Sequence, residues 1–362
     1  MVLHVRVISG SGGGPDKTII RSPGGIDPMR YRMAAAYIHP QGDTGNDTIR
    51  RHAAERRCPL FTVPERGPVD PRTVHALYHL CRRLHVTVWH GHDYKSNLLG
   101  LVLRKLWPMK LVTTAHGWTR ESRRTRLYYH IDNWCLSRYD EVIAVSPLIY
   151  EHCLLHRVKV TNLTYVPNAI EPAEYERGQS RDAARSALGL PTDRFAIGVV
   201  GRLSIEKGVD RAVRLIAALR ARHPHAQLHL VGGGPEHDAL KQLVADLDVA
   251  DAVVFHGWQT ALKPYYEMMD MLLLPSHTEG LPNVVLDAMA MGVPVAATDD
   301  GGVRELLDDG QAGVILTQDE STWPDAVERL IEHAAARDVF TARARQRVVS
   351  RYSFTRRMAS IA

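Results

Sequence analysis

The chain has 362 residues, more than one hydrophobic core usually supports, so two domains are expected. Hydrophobic residues make up 45% and charged residues 23%, as in ordinary globular proteins, and no run of 18 apolar residues predicts a membrane-spanning helix. The four cysteines are scattered without a C-x-x-C pair, which predicts reduced, structural thiols in the cytoplasm.

The net charge of +5 is unevenly distributed. Residues 1–180 hold 25 Lys and Arg against 16 Asp and Glu, a net charge of +9, and the remainder holds 20 against 24, a net charge of −4. No nucleic-acid-binding motif accompanies the basic runs, of which the longest is 120–126. Attraction to an anionic membrane face or an anionic acceptor therefore explains them better than nucleic acid does. Ordinary solvated helix faces stay open as the alternative.

Short β-branched runs alternate with helical patterns along the whole chain, which predicts parallel sheets covered by helices. The start, 1–8, is too short and too charged for a signal peptide and reads as a first strand. The predicted strands are Val2–Ile8, Val86–Trp89, Lys110–Thr114, Glu141–Val145, Thr164–Val166, Phe195–Val200, Gln227–Val231, Ala252–Phe255, Met271–Leu274 and Val293–Ala297. Predicted helices include Val209–Arg222, Asp238–Asp246 and Thr322–Ala336. The segment 172–180, rich in Pro, Glu and Gly, is the predicted linker.

Two glycine-rich loops follow predicted strands. Gly12, Gly13 and Gly14 lie just after the first strand, where backbone N–H groups can point at a ligand, but their spacing is not that of a dinucleotide fingerprint. Gly233 lies in a similar turn, for which a scaffold role and a ligand contact are both open.

The loop 201–208 carries Arg202 and Lys207 between two glycines. An arginine fork and a lysine point charge together suit a diphosphate, and the absence of G-K-[ST] excludes a P-loop.

The segment 279–287 places Glu279 before a helix start and Asp287 inside the helix. Asn283 is the predicted N-cap, and 284–291 the predicted helix. A helix N-terminus at Val284 suits an anion, typically phosphate. Carboxylates beside such a site usually hold hydroxyls, so the segment predicts a phosphorylated sugar or nucleotide as the ligand.

Histidines follow two strands of the first half. His90, His92 and Asp93 follow one, and His116 follows the next. A histidine at a strand end can act as an acid, a base or a hydrogen-bond donor near neutral pH. These side chains are also metal ligands in principle, but no fourth spaced ligand accompanies them, and we predict no metal.

The motifs together resemble a family-4 retaining glycosyltransferase (glycosyltransferase group 1) of the GT-B fold. The resemblance covers nearly the whole chain and rests on the order of the motifs already quoted, together with those at 144–146, 166–168, 255–257, 288–290, 292–295, 301–302, 305–306 and 309–310. The segment 11–18 is weakly similar to transferases of exopolysaccharide gene clusters. The resemblance implies two Rossmann-like, doubly wound α/β domains facing a central cleft: 1–175 for the acceptor and 176–350 for the nucleotide-sugar donor. A short closing helix, 351–362, would pack back on the first domain.

The resemblance also implies roles for single residues. Arg202 and Lys207 would hold the donor diphosphate in place of a metal, and Glu279 would bind hydroxyls of the donor sugar. Asp287 stands where the family has Glu for the ribose. Further roles fall to His116, near the transferred sugar, and to the donor-binding positions Gly12, Gly13, Gly14, Gly233, Asn283 and Val284.

The implied activity is transfer of a hexosyl unit, with retention, from a UDP- or GDP-linked sugar to a glycan or lipid-linked acceptor. The implied setting is cell-surface polysaccharide synthesis in the cytoplasm, with peripheral contact to the inner membrane face and without cofactor, metal or nucleic acid. Two alternatives stay open: a GT-B-fold epimerase or phosphorylase, and a non-catalytic subunit that binds sugar nucleotides.

Overall fold

The computed structural model describes residues 1–10, 12–117 and 123–361, the side chains of 123–126 excepted. Ser11 and residues 120–122 of the basic run therefore lie outside the described residues. The chain divides into unit 1, formed by Met1–Asn168 and Phe354–Ala362, and unit 2, formed by Ala169–Ser353. The division falls at 168/169, and residues Pro172–Tyr175 of the predicted linker form a 3-10 turn.

Unit 1 is built on a parallel sheet of seven described strands in the order β3-β2-β1-β4-β5-β6-β7. The strands are β1 (Val2–Val7), β2 (Met33–Pro40), β3 (Leu60–Glu65), β4 (Val88–Gly91), β5 (Lys110–Ala115), β6 (Glu141–Ala144) and β7 (Leu163–Tyr165). The helices between them are α1 (Gly14–Arg21), α2 (Asn46–Glu55), α3 (Pro71–Leu84), α4 (Tyr94–Leu103), α5 (Arg123–Leu136) and α6 (Pro147–Leu155).

Unit 2 is built on a second parallel sheet, of six described strands in the order β10-β9-β8-β11-β12-β13. The strands are β8 (Phe195–Val200), β9 (Ala226–Val231), β10 (Val253–Gly257), β11 (Met271–Leu274), β12 (Val295–Thr298) and β13 (Val314–Leu316). The helices are α7 (Arg181–Ala187), α8 (Val209–Leu219), α9 (His237–Asp246), α10 (Lys263–Met268), α11 (Asn283–Ala290), α12 (Val303–Leu306), α13 (Trp323–Glu332) and α14 (Ala334–Arg351).

In each sheet, the direction in which successive strands are added changes once, although all the described strands are parallel. In unit 1 the connections leave β1 and β4 toward opposite edges, and in unit 2 they leave β8 and β11 in the same manner. Open α/β sheets bind ligands at such a switch point, outside the carboxyl ends of the two strands. In unit 2, the loop that carries Arg202 and Lys207 follows β8, and the loop that carries Glu279 follows β11.

The predicted doubly wound fold is confirmed, but three strands escaped prediction. β2 has the sequence Met-Ala-Ala-Ala-Tyr-Ile-His-Pro, and alanine has a low strand propensity. Because β2 is buried on both faces, it also lacks the alternation of apolar and polar residues that marks a half-exposed strand. β3 ends in a Pro-Glu pair, and β13 has only three residues. The single helix predicted for 322–336 was wrong, because an extended His333 separates α13 from α14.

The last helix, α15 (Phe354–Ile361), belongs to unit 1. Phe354 and Met358 form a buried cluster with Val2 of β1 and Met33 of β2. The Arg357 guanidinium is buried and donates hydrogen bonds to the carbonyls of residues 166 and 167. α15 thus packs on β1 and β2 within unit 1.

The four cysteines are free and buried, and burial raises the pKa of the Cys58 thiol to about 11 and that of Cys81 to about 12. Such thiols stay protonated near neutral pH, and hence unreactive.

Within the part of the chain that the structure describes, no helix has the length and apolar character needed to cross a bilayer.

Candidate functional site

The centre of the site in unit 2 is an ion pair at the switch point of its sheet. Lys207 Nζ lies 2.7 Å from Glu279 Oε1, and so joins the loop after β8 to the loop after β11. The Ser276 hydroxyl donates to the same Glu279 oxygen at 2.6 Å. The Glu279 side chain is 7% exposed and that of Lys207 31%, so the carboxylate is held by the protein while the ammonium reaches solvent.

Backbone geometry brings these two loops together. Gly208 has φ +56°, and a Cβ atom at this position would lie 2.4 Å from the Pro275 carbonyl oxygen. The His277 amide donates to the Glu206 carbonyl at 2.9 Å, a second bond between the loops. Glycine at 208 is thus required both by its left-handed conformation and by the close approach of the other loop.

Glu206 is a site residue that the sequence pattern did not reveal. It is buried, its Oε1 atom lies 2.7 Å from an Arg202 nitrogen, and it accepts a 2.5 Å hydrogen bond from the Ser204 hydroxyl. The Arg202 side chain is 52% exposed. Glu206 therefore orients a guanidinium whose side chain is about half exposed to solvent.

Arg211, in the first turns of α8, was also missed. Its buried guanidinium donates to the Pro275 carbonyl at 3.1 Å and pairs with Glu320 at 2.9 Å, and it stacks over the Trp323 ring. These contacts join the start of the second loop to the loop before α13. Its partner Glu320 lies 109 positions away in sequence, so no local motif could have shown the contact.

The glycine turn after β9 packs against the loop after β8. Cβ atoms at Gly232 and Gly234 would lie 1.8 and 2.2 Å from the carbonyl oxygens of Gly201 and Leu203. Gly233 is partly exposed, and its carbonyl accepts from the Leu203 amide at 3.0 Å. Two of the three glycines thus have a structural role, which leaves Gly233 as the member open to a ligand.

The helix α11 begins beside Glu279, but its predicted cap was wrong. Pro282 is the N-cap, with φ −72° and ψ 113°, and Asn283 is already helical. The reason is that the Pro282 carbonyl accepts the first helical bond, from Val285 N at 3.1 Å. The first amides of a helix have no intrahelical acceptor, so those of Asn283 and Val284 remain suited to an anion.

Asp287 is buried in the second turn of α11, against Tyr266 of α10. The pKa of the Tyr266 hydroxyl is raised well above its usual value, first by burial and then by the Asp287 charge. The tyrosine therefore stays protonated beside this carboxylate, and its hydroxyl lies 3.5 Å from the Val284 carbonyl oxygen. The sequence offered no indication of this partner.

In unit 1, the glycine loop leads into α1. Gly13 is the N-cap and Gly14 the first residue of the helix, and the Gly13 amide donates to Asp16 Oδ2 at 2.6 Å. Asp16 also pairs with Arg6 at 3.3 Å. Gly12 lies directly before this turn, at the carboxyl end of β1.

Four histidines form a stack across β1, β4 and β5 of unit 1. His4 and His90 are register partners on neighbouring strands, and their ring centroids lie 4.5 Å apart. The His90 and His92 rings lie 4.5 Å apart and only 11° from parallel, and His116 extends the stack at 5.6 Å from His92. His4 was not among the predicted site residues.

Hydrogen bonds connect three of these rings. His4 Nδ1 lies 3.0 Å from His92 Nε2, and His92 Nδ1 lies 3.3 Å from His116 Nε2. His90 bonds instead to the Thr114 hydroxyl, at 2.8 Å. Burial lowers the pKa of His4 to about 4 and those of His90, His92 and His116 well below the usual value, with further lowering by Arg357 at His4 and by Arg6 at His116. The four imidazoles are therefore neutral at pH 7.

Two groups of described residues bring three metal-ligating side chains together: His4, His90 and His92, and His223, Glu328 and Glu332. In the first group the ligand atoms lie within 4.8 Å of one another, but His4 Nδ1 and His92 Nε2 are hydrogen-bonded to each other at 3.0 Å and His90 Nε2 to the Thr114 hydroxyl. The charges of Arg6 and Arg357 also oppose a cation there. In the second group His223 already contacts Glu328 at 2.7 Å, at the periphery of unit 2. Neither group includes Arg202, Lys207 or Glu279 of the unit 2 site.

Comparison with known families divides the chain at nearly the same place as the structure does. Residues 29–174 match the model described as Glycosyltransferase Family 4, and residues 180–347 match that of Glycosyl transferases group 1. The second match contains the whole candidate site of unit 2.

Two curated relatives and one solved structure extend the comparison. The D-inositol 3-phosphate glycosyltransferase of Corynebacterium jeikeium is 31% identical over 67% of this chain and 63% of its own length. The lipopolysaccharide core biosynthesis mannosyltransferase LpsB of Rhizobium meliloti is 30% identical over 69% of this chain and 68% of its own. The crystal structure of Anabaena HepE with UDP and glucose has a TM-score of 0.86 at 20% identity, over 99% of this chain and 97% of that one. It shares the GT-B fold. The chain thus aligns with about six tenths of the inositol phosphate enzyme.

Proposed function

This chain belongs to the group 1 glycosyltransferase family, and we propose on that premise that it transfers a hexosyl unit, with retention, from a nucleotide diphosphate sugar. The observation that carries the proposal is the Lys207–Glu279 pair, 2.7 Å apart at the switch point of unit 2 and beside the N-terminus of α11. A cation, a carboxylate and free helix amides are the groups that a phosphate-linked sugar requires together.

The main catalytic task is to stabilise the charge that develops on the leaving diphosphate. Lys207, Arg202 and the first amides of α11 supply this stabilisation electrostatically, and no protein nucleophile is invoked. Each charge-assisted hydrogen bond contributes on the order of 1.5–3 kcal/mol. The same residues take the place that a metal ion holds in other glycosyltransferases, so the proposed reaction needs neither metal nor cofactor.

Glu279 is proposed to bind hydroxyls of the donor sugar. Its carboxylate accepts from Ser276 and pairs with Lys207 through one oxygen, Oε1. The Glu279 amide donates to Asp300, which holds the start of the loop. A carboxylate oriented in this way can accept further hydrogen bonds from a sugar.

Asp287, buried in α11, is proposed to act on the nucleotide ribose. The test is a comparison of UDP with 2′-deoxy-UDP. Asp287→Asn should weaken binding of UDP and leave that of the deoxy nucleotide nearly unchanged. An equal loss for both nucleotides would assign Asp287 a structural role.

The proposed donor is UDP- or GDP-linked. The UDP complex of HepE supports a UDP-linked donor, and the description of LpsB as a mannosyltransferase leaves a GDP-linked donor open. His116, Gly12, Gly13 and Gly14 of unit 1 are proposed to complete the contacts to the donor, together with Gly233.

The proposed acceptor is a glycan or a lipid-linked sugar at the cytoplasmic face of a membrane, in cell-surface polysaccharide synthesis. The helices α4, α5 and α6 follow successive strands in one direction, so they cover the same face of the unit 1 sheet. Their exposed apolar side chains are Leu98, Val102, Leu127, Trp134, Leu148, Leu154 and Leu155. The basic residues Arg104, Lys105, Arg138 and Arg157 lie within or just beyond these helices. An apolar surface with cations around it suits an anionic bilayer.

The experiment that tests the function is a donor screen followed by a transfer assay. Thermal shift with UDP- and GDP-linked glucose, galactose, mannose and N-acetylglucosamine identifies the donor, and transfer to a membrane extract with that donor tests the reaction. We expect labelled glycan with the α-anomer retained. Phosphate-dependent turnover or change of the free donor sugar would indicate a phosphorylase or an epimerase. Donor binding without transfer or hydrolysis would indicate a binding subunit.

A further inference from the structure

We propose that His4, His92 and His116 form a chain of neutral imidazoles that fixes the tautomer of His116. In this chain His4 and His92 are positioning residues, and the atom they control is His116 Nδ1. The inference rests on the proposed role of His116 at the donor sugar, but the tautomer itself can be measured without turnover.

The argument begins with hydrogen-bond counting. A neutral imidazole has one N–H donor and one acceptor lone pair. The structure has two bonds between rings, from His4 Nδ1 to His92 Nε2 and from His92 Nδ1 to His116 Nε2. Each bond needs one N–H donor and one lone-pair acceptor. Only two arrangements satisfy both bonds: all three rings carry the proton on Nδ1, or all three carry it on Nε2.

The two ends of the chain are therefore linked. His4 Nε2 and His116 Nδ1 are buried atoms without a hydrogen-bond partner in the described structure. If His4 Nε2 is a lone pair, His116 Nδ1 carries a proton, and the reverse also holds. A change at His4 thus reaches His116 through His92, because a mismatched tautomer would break one of the two bonds.

The charges near the chain select between the two arrangements. Arg357 lowers the pKa of His4 and is itself bonded to carbonyl oxygens, whereas Arg6, near His92 and His116, is paired with Asp16. The Asp16 carboxylate offsets the Arg6 charge, whereas the Arg357 guanidinium donates to carbonyl oxygens. Because Arg357 offers donors only, we expect it to favour a lone pair on His4 Nε2. All three rings then carry the proton on Nδ1, and His116 Nδ1–H is a hydrogen-bond donor. It suits an oxygen of the sugar or of the leaving group.

His90 provides the matched control within the stack. Its ring packs against those of His4 and His92, but its Nε2 atom bonds to Thr114. His4→Phe removes a member of the chain and keeps an aromatic ring, and His90→Phe makes the same change outside the chain. His4→Asn restores a donor near the place of Nδ1.

The first measurement is two-bond ¹⁵N–¹H NMR of histidine-labelled protein, with and without UDP. We expect the Nδ1–H pattern for His4, His92 and His116 in the wild type and in His90→Phe, and a mixture of tautomers at His116 in His4→Phe. An Nε2–H pattern or a mixture at His116 in the wild type would overturn the proposal. Stoichiometric Zn²⁺ binding that is lost in His4→Phe would also overturn it, because a metal would occupy the lone pairs.

The second measurement is turnover with the donor identified by the screen. His4→Phe should lower kcat by about five-fold, the effect of about one hydrogen bond, with donor KM changed less than two-fold. His4→Asn should recover most of the loss. Wild-type turnover in His4→Phe, with a folded protein and an inactive His116→Ala, would reject the chain and leave the proposed function intact. Absence of transfer in the wild type would reject the function while the NMR result stands.

Discussion

Lys207 Nζ and Glu279 Oε1 lie 2.7 Å apart and join two loops that are 72 positions apart in sequence. Lys207→Ala should lower turnover at saturating donor at least ten-fold, since a charge-assisted bond to the leaving diphosphate contributes on the order of 1.5–3 kcal/mol. The control is Arg214→Ala, which removes an exposed ion pair with Asp210 on α8 and should change turnover less than two-fold. Near-native activity of Lys207→Ala would remove this residue from the proposed mechanism.

Glu206 should act through Arg202. Glu206→Gln keeps the shape of the side chain but removes the charge that holds the guanidinium at 2.7 Å. We expect donor KM to rise about three-fold, and Arg202→Ala to raise it further. The double variant should be no worse than Arg202→Ala alone, as steady-state kinetics of the three proteins will show. Additive losses would mean that Glu206 has an independent role.

Gly208→Ala should destabilise unit 2 more than Gly189→Ala does. Both glycines have positive φ, but an added Cβ meets the Pro275 carbonyl at position 208 and nothing within 4 Å at position 189. We expect a loss of about 1 kcal/mol at Gly189 from the left-handed backbone, and about 3 kcal/mol at Gly208, where overpacking adds to it. Urea unfolding monitored by tryptophan fluorescence measures both. Equal losses would show that the two loops separate easily.

The stability of unit 2 should fall as the pH is lowered below about 6.5. Burial, and then the neighbouring His256, lower the pKa of His229 to about 3, so between these values the unfolded chain binds a proton that the folded chain does not. The slope is about 1.4 kcal/mol per pH unit, and about 2 kcal/mol is lost between pH 7 and pH 5. His229→Gln should flatten the dependence of the urea midpoint on pH. His225→Gln, at an exposed position, controls for the substitution itself.

Vesicle binding should depend on the apolar face of α4–α6. Trp134 is half exposed, with the Arg138 guanidinium 4.0 Å from its ring. Trp134→Gln should lower co-sedimentation with vesicles of anionic lipid about ten-fold, whereas Trp258→Gln, an exposed tryptophan of unit 2, should leave it unchanged. Binding that is independent of anionic lipid would contradict the proposed membrane contact.

Sequence patterns predicted the parts of the fold and site that have local causes. The bounds of β8 and β11 were predicted to the residue, because both are continuous β-rich or apolar runs between turn residues. The loops that hold Arg202, Lys207 and Glu279 were recognisable from their glycines and from the helix start that follows. Arg211 was not, because its partners Pro275 and Glu320 are brought near only by the tertiary structure. Glu206 was not either, because its contacts with Ser204 and Arg202, two and four positions before it, depend on the conformation of the loop. The cap of α11 was wrong because Asn283 is a stronger N-cap by residue type than the proline that occupies that position.

The order in which the units can complete their cores is the reverse of their order along the chain. Unit 2 is contiguous in sequence, from Ala169 to Ser353, and all its strands are synthesised before α15. Unit 1 lacks Phe354 and Met358, which pack on Val2 and Met33, until residues 354–358 have been translated. During synthesis, β1 and β2 therefore keep an apolar surface uncovered while roughly half of the protein is made, and exposed apolar surface of this kind favours aggregation until α15 covers it.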